Sequence, residues 1–274
     1  MKTTIAIVTY GQDLALLKRQ LLSIYQYWQL DQLEEIVVVY NDEPKNYADF
    51  DDAIASTQHP EIKLTPYYGA DLWPTQSYWD WFSQQHLKIL IAKKIKTPWF
   101  IIHDSKDAYS APASIDTFFV SESQARLPVA PGPAHEDVDN WVQIKKHPHV
   151  TFRSEYNSAY KWMSIDFDTA QTILRCDQKS TVFPAHTQTM LDMIAWIEDK
   201  LGSLFDDLIR LNIRGNSRAL FTEYALISAW HAHQGLLEKL YLPLDQYRGQ
   251  GVDFYECLIG RDKTLRGISH QDIQ

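Results

Sequence analysis

Three unbroken apolar runs set the frame of this chain: Ile5-Ala6-Ile7-Val8, Ile36-Val37-Val38-Val39 and Trp99-Phe100-Ile101-Ile102. Continuous rather than alternating hydrophobicity marks strands covered on both faces. Each run stops abruptly in polar residues: Thr9-Tyr10-Gly11, then Asn41-Asp42-Glu43-Pro44, then His103-Asp104-Ser105-Lys106-Asp107. Between the first two, Leu14, Leu17, Leu21, Leu22 and Ile24-Tyr25 recur at helical spacing, with Asp13 placed as an N-cap. Strand, helix and strand in this order make a βαβ unit and hence a parallel sheet.

The pattern continues with a short helix over Asp51–Ser56 and a short strand over Ile62–Thr65. An aromatic stretch, Tyr67-Tyr68 to Phe82, precedes an amphipathic helix over Ser83–Ala92, which leads straight into the third apolar run. The Pro-rich segment Leu127–Pro133 interrupts the regularity. Beyond it, helical spacing returns over Thr187–Leu201, over Leu204–Ile209, and over Phe221–Leu237 with Thr222 as N-cap. The expected fold class is α/β, a mainly parallel sheet flanked by helices. Residues 1–125 form one half, and residues 126–274 form a second, more helical half of the same domain.

Composition narrows the functions. Twenty-six Lys and Arg against 35 Asp and Glu give a formal net charge of −9, which argues against nucleic acid or an anionic membrane as a partner. Cys176 and Cys257 are far apart and in no metal-like spacing, which fits a reducing compartment. The apolar run at the N-terminus is too short for a signal peptide, and none later is long enough to span a bilayer. These features lead to the expectation of a cytoplasmic protein without a transmembrane segment. No G-x-G-x-x-G follows the first strand, which disfavours a dinucleotide-binding dehydrogenase.

Ligands in open α/β sheets sit at the carboxyl ends of the strands. The third run delivers Asp104, Lys106 and Asp107 to that edge, with His103 beside them. The same residues also suit an ordinary solvated turn. Gln84 and Lys88 lie four apart on the preceding helix and share a face, where a lysine most often points to solvent. Glu223 falls in the first turn of a late helix, where the helix dipole favours its ionised form. His231 and His233 are two apart on that helix and cannot easily serve one ion.

The order of these parts resembles the GT-A type of nucleotide-sugar glycosyltransferase. Four pieces carry the likeness: the strand ending in Thr9-Tyr10, and the strand ending in Asn41-Asp42. The other two are Gln84-Gln85-His86-Leu87-Lys88 ahead of Phe100-Ile101-Ile102-His103-Asp104-Ser105-Lys106, and Phe221-Thr222-Glu223-Tyr224 opening a late helix. The resemblance implies a GT-A-like, Rossmann-related fold in which residues 1–125 bind a nucleotide-diphosphate sugar and residues 126–274 bind a carbohydrate acceptor. It further implies transfer of the sugar to a hydroxyl, in bacterial surface polysaccharide or lipopolysaccharide synthesis. Thr9, Tyr10, Asn41 and Asp42 would meet base or ribose, and Gln84, Lys88 and His103 the rest of the donor. Tyr156 and Trp162, with Trp73 and Trp79, would wall the acceptor, and Glu223 would be the base of an inverting displacement.

GT-A enzymes usually carry Asp-x-Asp, which holds a divalent cation on the diphosphate. Here Asp104-Ser105-Lys106 departs from that pattern at its second carboxylate. Either Asp104 and Asp107 bind Mn or Mg, or Lys106 supplies the positive charge and no metal is needed. A third possibility is a degenerate GT-A fold that binds carbohydrate or nucleotide without catalysis. A nucleotidyltransferase is the weaker enzymatic rival, because Thr9-Tyr10-Gly11-Gln12-Asp13 lacks the basic character of a phosphate loop.

Overall fold

A computed structural model describes residues 1–76, 79, 81–126, 129–130, 159, 163–165, 175–176, 182–201, 223–242 and 259–261. The apolar runs become β1 (Thr3–Thr9), β2 (Leu33–Tyr40) and, later, β4 (Trp99–Asp104). Every residue of β1 and β4 is buried, as their unbroken hydrophobicity requires. Helix α1 (Leu14–Tyr27) joins β1 to β2, α2 (Tyr47–Ala55) joins β2 to β3 (Leu64–Tyr68), and α3 (Trp81–Leu90) precedes β4. A short strand β5 (Asp107–Tyr109) follows β4, then β6 (Phe183–His186), α4 (Thr187–Leu201) and α5 (Glu223–His233).

The main sheet runs β6-β4-β1-β2-β3, parallel throughout except for β6, which is antiparallel to β4. It is a mixed α/β fold with a mostly parallel sheet flanked by helices, as the apolar pattern predicts. Chain order reverses direction at β1: β2 and β3 extend to one side, and β4 lies on the other. The crevice between the ends of β1 and β4, where Val8 pairs with Asp104, is therefore the switch point of the sheet. At the opposite edge threonines stitch the elements together. Thr3 Oγ1 donates to the Trp99 carbonyl at 3.0 Å, Thr97 Oγ1 to Thr4 Oγ1 at 2.9 Å, and Thr187 Oγ1 to the Thr97 carbonyl at 2.6 Å.

Several boundaries differ from the pattern-based expectation. The strand expected over Ile62–Thr65 lies at Leu64–Tyr68 and includes Pro66, which an edge strand tolerates. The helix expected over Asp51–Ser56 begins earlier, at Tyr47. Asp13 does not cap α1. A short 3-10 turn over Gly11–Asp13 enters the helix, and Asp13 Oδ2 instead accepts a hydrogen bond from Ser105 Oγ at 3.3 Å. The late helix stops at His233 rather than Leu237 because Gly235 adopts φ +62°. Leu236 N then donates to the His231 carbonyl at 2.8 Å and Gly235 N to the Ala232 carbonyl at 3.0 Å. That pair of bonds is a Schellman motif, which terminates a helix. Thr222, expected as the cap of this helix, and the helix expected over Leu204–Ile209 lie outside the described residues. Among the described residues no helix is long and apolar enough to cross a membrane.

Candidate active site

The carboxyl end of β4 carries a chain of four charged side chains. Lys106 Nζ lies 2.8 Å from Asp104 Oδ2, Lys88 Nζ lies 2.5 Å from Asp104 Oδ1, and the same Lys88 nitrogen lies 2.8 Å from Glu223 Oε1. These residues come from α3, β4, the turn after β4, and the first turn of α5. Lys106 is 28% exposed, whereas Lys88 and Glu223 are each only 3% exposed. Lys106 thus forms the open end of the chain and Glu223 its closed end.

The charges sustain one another. Burial works against the charge of Lys88, but Asp104 and Glu223 outweigh it and hold the ammonium protonated well above the ordinary range. Burial likewise opposes the charge of Asp104, yet Lys88 and Lys106 bring its carboxyl well below the usual carboxylate range. At Glu223 burial dominates and raises the pKa, with Lys88 pulling the other way and the charge of Asp104 adding to the rise. A carboxylate with enhanced proton affinity is suited to take a proton. The Tyr224 ring lies 5.3 Å from Lys88 Nζ and stacks on Phe183, which closes the site from the side of β6.

Lys88 is not the solvated residue that an amphipathic helix most often carries. The face it shares with Gln84 points inward, and Gln84 Nε2 donates to the Val8 carbonyl at 3.2 Å. Glu223 N donates to Gln85 Oε1 at 3.4 Å, so α3 grips both the switch-point strand and the start of α5. Behind β4, buried Gln20 donates from Nε2 to the Asp104 carbonyl at 2.9 Å and ties α1 to the same strand end.

A second feature lies at the ends of β1 and β2. A pocket of about 460 Å³ is lined by Tyr10, Gly11, Gln12, Tyr40, Asp42, Asn46, Asp49 and Trp79. Its aromatic rings and acceptor groups, without a lysine or arginine, suit a flat or hydroxylated uncharged moiety rather than a phosphate. Asp42 gives this pocket its shape. Its Oδ2 accepts from Gly11 N (3.0 Å) and Tyr40 Oη (3.1 Å), and its Oδ1 from Glu43 N (2.7 Å) and Asn46 Nδ2 (2.9 Å). Four bonds fill the acceptor capacity of a carboxylate, so Asp42 acts by fixing the loop. Gly11 is required there: a Cβ at this position would stand 2.5 Å from Asp42 Oδ2.

Asn41 is buried, its Oδ1 accepting from Gln76 Nε2 at 2.7 Å and Ser83 Oγ at 3.0 Å, and its N donating to the Thr9 carbonyl at 2.7 Å. Thr9 Oγ1 is buried at the switch point with no hydrogen-bond partner among the described residues.

Two expected members do not join the charged chain. Neighbouring residues of a strand face opposite sides of the sheet. His103 accordingly meets Tyr109 Oη at 2.7 Å while Asp104 meets Lys88. Burial holds His103 neutral, with its pKa lowered to about 3, although the charge of Asp104 opposes this. Asp107 is buried in β5, whose backbone pairs with residues 259–261 in a two-stranded ladder. Trp73 is core rather than acceptor wall, and Trp79 lines the pocket by β1 and β2. His231 is buried beside Thr189, with Nε2 at 2.9 Å from Oγ1. Tyr156 and Trp162 lie outside the described residues.

The implied divalent cation finds a poor fit. Both oxygens of Asp104 face a lysine ammonium, which occupies the acceptor directions that a hard cation needs. Among the described residues no group of three or more His, Cys, Asp or Glu side chains could hold a metal ion.

Gln20, Gln85, Tyr224 and the lining role of Trp79 escaped the sequence reading. Tyr224 stands beside Glu223 in a recognised motif, but Gln20 gives no signal, since a glutamine on an amphipathic helix reads as surface.

Comparison with known proteins gives partial likenesses. A mannosyltransferase from Pyrobaculum calidifontis, solved with GDP-Man and Mn2+, is 20% identical at TM-score 0.31, covering 42% of this chain and 30% of that one. The bifunctional glycosyltransferase WbbM is 10% identical at TM-score 0.46, covering 89% of this chain and 39% of that one. Mouse xyloside xylosyltransferase 1 is 11% identical at TM-score 0.42, covering 89% of this chain and 85% of that one. The chain thus spans well under half the length of the first two. No curated protein matches it. A family model matches residues 7–255, and the chain belongs to that family, the Family of unknown function (DUF6492).

Proposed function

We propose that the protein is a glycosyltransferase that moves a sugar from a nucleotide-diphosphate sugar to a hydroxyl of a carbohydrate acceptor, in bacterial surface polysaccharide or lipopolysaccharide synthesis. The observation that carries this reading is the solvent-reaching Lys106 on Asp104 at the switch point of the sheet. It supplies positive charge at the strand edge where α/β folds hold ligands, and the aromatic pocket, which has no lysine or arginine in its lining, opens at the ends of the neighbouring strands.

In this reading residues 1–125 take the donor and residues 126–274 the acceptor. Tyr10 and Trp79 flank the base, and Thr9 offers its unpartnered hydroxyl. Glu223 takes the proton of the acceptor hydroxyl as that oxygen attacks the anomeric carbon, with inversion. The bond from that carbon to the diphosphate breaks, its electron pair stays on the departing oxygen, and Lys106 neutralises the charge that develops there. No step is assigned to a metal, because Asp104 is already paired with two lysines.

A thermal-shift panel of UDP, GDP, CDP and CMP sugars, with and without Mn or Mg, tests the reading. A ligand that binds only the folded state raises Tm. One nucleotide class should do so without metal, and Lys106→Ala should abolish the shift. A shift that depends on metal and survives Lys106→Ala would overturn the lysine-based site. Binding with no transfer to any acceptor would leave a non-catalytic binding module, and no shift at all would remove the donor.

A further inference from the structure

We infer that Lys88 is the positioning residue of this reaction: it holds the base Glu223 in register with the donor-anchoring Asp104 through one shared, buried ammonium. The inference rests on the glycosyltransferase reading with Glu223 as base, and goes beyond it in giving Lys88 a task other than contact with donor phosphate.

Three observations support it. The first is geometry. One nitrogen lies 2.5 Å from Asp104 Oδ1 and 2.8 Å from Glu223 Oε1, so it joins β4 to a residue that follows Lys88 by 135 positions. The Tyr224 ring lies 5.3 Å from the same nitrogen.

The second is access. Lys88 Nζ lies between Asp104 and Glu223, so a substrate reaches its charge only by displacing one of these carboxylates. Lys106, on the other oxygen of Asp104, is the lysine open to solvent. The two lysines divide the work: Lys106 meets what binds, and Lys88 orders what reacts.

The third is energetic. A buried ion pair is a poor device for stability, because the desolvation of its charges offsets most of their attraction, and well-packed apolar groups often do as well or better. Three charged groups enclosed at a sheet edge therefore call for a reason other than stability. Without the ammonium, two buried carboxylates would face each other, and Glu223 would move away or take up a proton before any acceptor arrived. The helix that carries Lys88 is built for this placement. Its Gln84 holds the Val8 carbonyl, and its Gln85 accepts from the backbone N of Glu223 itself.

The test is a double-mutant cycle on full-length enzyme with the donor found in the nucleotide panel and a carbohydrate acceptor that wild type glycosylates from it, measuring kcat and donor KM for wild type, Lys88→Met, Glu223→Gln and the double variant. Acting through Glu223, Lys88→Met should lower kcat about 100-fold, the scale of a misplaced general base, while donor KM stays within about threefold. In the Glu223→Gln background the same change should cost almost nothing further. Lys88→Arg keeps the charge on a differently shaped head, so it serves if Lys88→Met does not fold. It should lower kcat about 10-fold and leave donor KM unchanged. Losses that multiply in the double variant, or a Lys88→Arg enzyme with raised donor KM and normal kcat, would overturn the inference and leave the glycosyltransferase standing. A wild-type protein that binds no nucleotide sugar and transfers none overturns both.

Discussion

Asp42 lies two residues past β2 and Asp104 ends β4, the two strands that flank β1, and their carboxylates are used in opposite ways. Asp42 is satisfied by neutral donors: two backbone N–H groups, a phenol and an amide. Asp104 faces two ammonium groups instead. The first arrangement makes a rigid loop and contributes shape to an aromatic pocket. The second concentrates charge, one end of it open to solvent. The same side chain at two ends of one sheet's carboxyl edge thus becomes architecture or electrostatics, according to what the neighbouring elements bring to it.

The largest effect should come from removing the charged end. Asp104→Asn leaves Lys88 and Lys106 without the carboxylate they share. Breaking a buried ion pair from one side typically costs about 3–5 kcal/mol. Urea unfolding should show a loss of that size, and an unchanged midpoint would mean that the lysines relax into water and the chain of charges is not a unit. Gly11→Ala tests the neutral end. The added methyl displaces Asp42 Oδ2, and the lost hydrogen bonds should lower stability by about 1–3 kcal/mol. Nucleotide affinity in the neighbouring pocket should fall with it. Full affinity in Gly11→Ala would separate the pocket from the loop that shapes it.

The smallest effect distinguishes the ends by pH. His103 and His231 are each held neutral by burial, with pKa values near 3, while unfolded histidine titrates near 6.5. Below 6.5 the unfolded chain therefore binds more protons, and stability must fall as pH falls. Between pH 6.5 and 5.5 the loss should be about 1 kcal/mol per histidine. The lysines keep Asp104 ionised across that window, so Asp104 should contribute nothing to the slope, while the raised proton affinity of Glu223 acts against it. Replacing His231 with Gln should halve the histidine contribution, and a Tm that is flat over this range would contradict the buried, neutral state of both histidines.

The sheet was largely legible because β1, β2 and β4 are covered on both faces, and nothing but unbroken apolar runs satisfies that condition. The edges were not. β3 holds Pro66, and β6 is only Phe183-Pro184-Ala185-His186, too short to stand out. In the site, Asp104, Lys106 and Glu223 could be chosen by type and position at element ends. The inward turn of Lys88 could not, since i and i+4 spacing shows which residues share a face but not what that face meets. Strand alternation, by contrast, was available and would have separated His103 from Asp104.

The placement of β6 has a consequence for how the chain can be divided. Its residues follow β4 by some eighty positions, yet they close the outer side of the strand that carries Asp104. A fragment ending near residue 125 would leave Trp99-Phe100-Ile101-Ile102 as a bare, apolar edge, open to pairing with a second copy. The half up to residue 125 thus depends on a later strand for its folding, and truncation at that boundary should yield aggregates rather than a soluble domain.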